Sequence, residues 1–107
     1  MKKPFRLLAY PKVLATFAAK AIHVMSAIDI IRGILIYMYG KDHNPPHLHI
    51  KDRGNWFVIT IKDRMVEGKG SAKTIQIVNE YIDQHEMRLL ELWEKAQRGE
   101  RIEKVQR

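Results

Sequence analysis

The stretch HLHIKDRGNWFVITIKD, residues 47–63, decides the fold. From His47 to Asp52 the side chains alternate: Leu48 and Ile50 fall on one face, His47, His49 and Lys51 on the other. Arg53-Gly54-Asn55 supplies turn residues, and WFVITIKD resumes the alternation with Phe57, Ile59 and Ile61 on one face. A period of two on both sides of a short turn predicts an antiparallel hairpin with one apolar face.

Upstream, GILIYMY (residues 33–39) is rich in β-branched and aromatic types and ends at Gly40, so it predicts a further strand. Downstream, Asp63-Arg64 turns the chain into a short edge strand, Met65 to Glu67, closed by Gly68-Lys69-Gly70. The period then changes. Ser71 is a good N-cap, and Ile75, Val78, Ile82, His85, Leu89, Leu92 and Ala96 keep a three-four spacing until Gly99 supplies a stop. This is one long helix or two with a break near Gln84-His85, where no proline or glycine forces one. In the charged tail RIEKVQR only Ile102 and Val105 offer anything to dock. The fold expected is α+β: a small antiparallel sheet of three to four strands packed against a long C-terminal amphipathic helix or helix pair. The helix should cover the face of Leu48, Ile50, Phe57, Ile59 and Ile61, leaving His47 and His49 on the opposite face.

Composition narrows the class. With 46% hydrophobic and 29% charged residues in a chain of 107, the protein is a globular domain rather than a disordered one. It has no cysteine, which excludes disulfides and thiolate metal sites and suits a reducing compartment, so a cytoplasmic location is expected. Of the net charge of +7, residues 1–24 carry five units (Lys2, Lys3, Arg6, Lys12, Lys20, with no acid). The body is nearly balanced, which weakens the charge as a sign of nucleic-acid binding. Lys12 and Lys20 interrupt the leader, so it reads neither as a secretory signal nor as a membrane span. Leu14, Phe17, Ala18, Ala21, Met25 and Ile28 form one stripe and predict an N-terminal helical extension. A competing reading starts translation at Met25. The domain boundaries expected are therefore a basic extension over 1–24 and a single α+β domain over 25–107.

From the end of the first strand of this reading into the start of the second runs KDHNPPHLHI, residues 41–50, which holds three of the five histidines and two of the four prolines. Asn44-Pro45 initiates a turn, and Pro45 and Pro46 fix φ and remove donors, so Asp42, Asn44, Pro45 and Pro46 form a stiff lead into the strand. Two histidines at strand spacing stand about 7 Å apart at Cα and can reach one zinc-sized ion. Asp42 or His43 would be a third ligand and His85 a fourth. Against a metal, the sequence fixes no carboxylate beside the pair; the expectation is that the protein carries no cofactor. The same side chains also suit acid–base work: His43, His47 and His49 as the catalytic groups in phosphodiester transfer on RNA, with Lys41, Lys51 and Arg53 binding phosphate. The third reading is that the histidines only hydrogen-bond within the turn or contact a partner. Trp93 and Tyr81 read as core anchors, Trp56 as a cross-sheet or exposed residue, and Glu91-Lys95 and Glu94-Arg98 as pairs on a solvated helix face.

IYMYGKDHNPPHLHI resembles the signature of domain-of-unknown-function family 4160, matching at Met38, Tyr39, Asp42, His43, Asn44, Pro45, Pro46, His47 and His49. The similarity runs on through Glu67-Gly68-Lys69 and a helix with His85, Leu89, Trp93, Ala96, Gly99 and Glu100, about residues 29–105. Leu48 replaces a usual aromatic, Tyr81 a common tryptophan, and Lys41 an often acidic residue. The resemblance implies a start near the first strand and a place in a two-gene cassette of the toxin–antitoxin kind, whose partner is a small protein encoded nearby. The function expected is thus a component of such a module that acts on RNA through the histidine turn. Its rivals are a non-catalytic module that docks a partner through the same turn, and a metal-dependent hydrolase.

Overall fold

The computed structural model describes residues 25–102, 104 and 105. Its elements run β1 (Met25–Ile31), β2 (Ile34–Tyr39), β3 (His47–Asp52), β4 (Asn55–Thr60), β5 (Val66–Gly68) and α1 (Ala72–Gln97). The strands form one antiparallel sheet in chain order, β1-β2-β3-β4-β5. The α+β class and the C-terminal helix agree with the sequence reading, but the sheet has five strands instead of three to four.

The added strand is β1. Met25 and Ile28, which the stripe assigns to a helix, belong to it; the rest of the expected extension, residues 1–24, lies outside the described residues. A bulge explains why β1 hides from an alternation test. Ala27 faces Tyr37 while Asp29 faces Ile36, so Ile28 is the extra residue. Both Ile28 and Asp29 are buried in consequence, and Asp29 accepts a 2.9 Å hydrogen bond from the Tyr81 hydroxyl on α1.

Two hairpins close the sheet at one end through two-residue turns, Arg32-Gly33 between Ile31 and Ile34 and Arg53-Gly54 between Asp52 and Asn55. All four central residues have positive φ, the backbone whose twist matches that of paired strands. Phe57, Ile59, Ile61, Leu48 and Ile50 are buried together against Val78, Ile82, Leu89, Leu92 and Ala96 of α1, the face the alternation assigns to the helix. Gly70 lets the chain cross this face closely, since a Cβ there would sit 2.7 Å from the Phe57 ring.

Ser71 caps α1 as expected, its hydroxyl accepting from the Thr74 amide at 3.0 Å. The helix is kinked at His85, whose backbone is non-helical (φ −128°, ψ 18°), at the place where the sequence offered one helix or two. Arg64 ties the β4–β5 connection to α1: it donates to the Ile61 carbonyl at 2.8 Å and pairs with Asp83 and Glu86 one helical turn apart. Ile102 and Val105 dock as read, the Val105 amide donating to the Ile28 carbonyl at 3.0 Å. Among the described residues no helix is long and apolar enough to cross a membrane.

Candidate functional site

The connection from β2 to β3 is built differently from the hairpins. Lys41 (φ 54°) turns the chain out of β2, and its amide donates to the Ala96 carbonyl near the end of α1 at 3.0 Å. The Asn44-Pro45 peptide is cis. At the far end the Pro46 carbonyl accepts from the Ile61 amide at 2.9 Å. The turn is thereby fastened to the helix at its start and to Ile61, just past β4, at its finish.

Between these fastenings Asp42 folds inward. Its Oδ1 accepts from the His43 amide at 2.8 Å, and its Oδ2 lies 2.9 Å from His47 Nε2 and 3.3 Å from His49 Nε2. His47 Nδ1 stands 2.7 Å from the Pro45 carbonyl. A carbonyl only accepts, so Nδ1 carries a proton. A neutral His47 would then turn its Nε2 lone pair toward a carboxylate oxygen. The 2.9 Å contact is attractive only with positive charge between the two atoms, either a proton or a metal ion.

The cluster is shut away from solvent: His47 is 0% exposed, His49 2% and Asp42 6%. The Tyr39 ring lies against His49, tilted by 39° with centroids 4.0 Å apart, and the Trp93 ring stands 5.0 Å from His47. Burial alone would raise the Asp42 pKa, but hydrogen bonds from His47 and His49 outweigh it and hold the carboxyl well below the usual carboxylate range. His49 is pushed below the ordinary histidine value, chiefly by burial, with Asp42 opposing. Burial and then the Asp42 charge push the Tyr39 hydroxyl up to about 12.

The structure sorts the sequence candidates. It brings Asp42, His47 and His49 together as the one histidine-carboxylate group of ligating size among the described residues. His43 joins only through its backbone and, with Asn44 and Pro45, is exposed, while Pro46 is half-buried. His85 is not part of the cluster; its ring lies 4.7 Å from Tyr81. The phosphate-binding trio is not assembled. Lys41 lies over Gly99 at the helix terminus, Lys51 stands 5.5 Å over the Trp56 ring, and Arg53 occupies the opposite hairpin. Arg53 lies six positions along the chain from His47, roughly 20 Å at strand rise. His47 also departs from the expectation of a ring remote from the helix. It opens β3 beside a turn pinned to Ala96, so Trp93 reaches it. Sequence reasoning missed Tyr39 and Trp93 as the walls of the site; their signal was an aromatic next to Gly40 and an aromatic one turn before Ala96.

The sequence model of the domain of unknown function DUF4160 matches residues 33–94, more than half the chain and all of the cluster. The chain belongs to this family. No curated protein and no solved structure matches it.

Proposed function

We propose that the protein is a non-catalytic docking module whose working surface is the exposed tip His43-Asn44-Pro45, one member of a two-protein, toxin–antitoxin-like pair. The observation that carries this reading is the division of the turn into a buried brace and an exposed tip. Acid–base catalysis needs imidazoles within hydrogen-bond reach of a substrate. His47 and His49 are buried, whereas they suit a brace that holds the tip without loss of entropy on binding. The family resemblance supplies the occupant, a small protein encoded beside this one. Co-expression of the two, followed by purification through the partner, tests it: a His43→Ala, Asn44→Ala variant should lose co-purification and keep its melting temperature. Growth arrest with RNA cleavage by the chain alone, abolished in His43→Ala, would sink the docking reading.

RNA remains the second reading on a separate observation. On the sheet face away from α1, Tyr37 and Trp56 pair at 5.4 Å with Lys51 over the Trp56 ring. Aromatics beside a cation form a stacking platform for unpaired bases, worth about 1–3 kcal/mol per base. Such binding should weaken steeply with salt and fall in Trp56→Ala. Binding indifferent to both would remove RNA from the account.

A further inference from the structure

We infer that Asp42, His47 and His49 form a binding site for one zinc-class divalent transition-metal ion, which locks the proline turn. The inference does not depend on what the tip docks. The sequence-level objection was that no carboxylate is fixed beside the histidine pair. The fold removes it, because the turn delivers Asp42 Oδ2 to both Nε2 atoms.

Three features point to an ion rather than to hydrogen bonding alone. The donor atoms converge: adjacent ligands on a tetrahedral ion at zinc distances are about 3.3 Å apart, and the two histidine–carboxylate contacts are 2.9 and 3.3 Å. All three atoms lie within 4.8 Å of one another, so the two ring nitrogens need to close by about 1.5 Å at most. Next, His47 already has the tautomer of a ligand. Ligating histidines commonly donate the other ring N–H to a backbone carbonyl, which aims the lone pair at the metal, and Pro45 supplies that carbonyl at 2.7 Å. Finally, the site is buried and walled by Tyr39 and Trp93, which orient both rings before any ion arrives.

The donor set selects the ion. Two imidazoles and one carboxylate suit zinc, cobalt and nickel, while magnesium and calcium want oxygen. On binding, the ion takes the place of the proton between Oδ2 and His47 Nε2, which leaves to solvent while His47 keeps its proton on Nδ1. A neutral His49 moves its one proton from Nε2 to Nδ1, which frees the Nε2 lone pair for the ion. Three protein ligands leave the fourth tetrahedral position open.

The full chain, purified without a histidine tag and stripped with chelator, should be titrated with Co2+ and with Zn2+. One equivalent of cobalt should give visible d–d absorption, zinc should displace it, and zinc but not magnesium should raise the melting temperature. Long-range 1H–15N spectra of the wild type should show both rings ligated through Nε2, a readout that needs no variant. Asp42→Asn and His49→Gln should each lower cobalt affinity at least tenfold, and His85→Gln should leave it unchanged. A folded wild type that shows no cobalt absorption and no zinc-dependent melting shift would overturn the site, as would ligation that survives in Asp42→Asn and His49→Gln alike.

Discussion

The two ends of the sheet connect their strands by opposite means. At one end Arg32-Gly33 and Arg53-Gly54 close hairpins with two residues each, and local backbone geometry suffices. At the other, residues 40–46 take a longer path that stands only because Asp42, His47, His49, Ala96 and Ile61 hold it. A turn held by its own carboxylate, two flanking histidines and two distant backbone groups can do work that a two-residue turn cannot. Damage to the first end should therefore stay local, and damage to the second should spread.

The largest expected difference is Asp42→Ala against Arg53→Ala. Removing the carboxylate breaks a buried, charge-assisted cluster and should cost about 3–5 kcal/mol, whereas an exposed hairpin residue should change stability by less than about 0.5 kcal/mol. Urea denaturation of the two variants measures both. Equal losses would erase the contrast between the ends.

Acidification sharpens it. In the metal-free chain His49 has a lowered pKa, so on acidification the unfolded state takes up a proton before the folded state does. Stability is complete above the unfolded histidine value, about 6.5, and falls as pH drops below it. Asp42 adds a second loss with the same sign that begins below its unfolded value, about 3.9, because its folded pKa is also depressed. Melting temperature against pH should show both stages in wild type and in Arg53→Gly, and only the lower stage in His49→Gln. An upper stage retained in His49→Gln would assign it elsewhere.

A smaller effect is expected away from both ends. Tyr81→Phe removes the hydroxyl that reaches Asp29 and should cost about 1–2 kcal/mol while leaving the pH profile of the turn unchanged. Calorimetry on this variant tests whether the β1 bulge and the proline turn are separate devices.

How much of this the sequence carries depends on how local the cause is. The β3–β4 hairpin and the Ser71 cap are written in neighbouring residues, and both were legible. So was the pairing of His47 with His49, since strand spacing alone sets it. β1 was not, because the bulge turns Ile28 and Asp29 to the same side and Met25 and Ile28 imitate a helical stripe. Choosing Asp42 over His43 as the third member requires the path of the turn backbone. Trp93 meets His47 only because Lys41 bonds to Ala96, a contact between residues far apart in the chain.

If Asp42 and His47 act as one brace, their energies are coupled, and a double-mutant cycle with Asp42→Asn and His47→Gln measures that coupling. The four proteins should be unfolded in urea in metal-free buffer at neutral pH. A coupling energy above about 1.5 kcal/mol is the predicted result, as contacting charged groups in one network give. Effects that add to within about 0.5 kcal/mol, as independent sites do, would contradict the account.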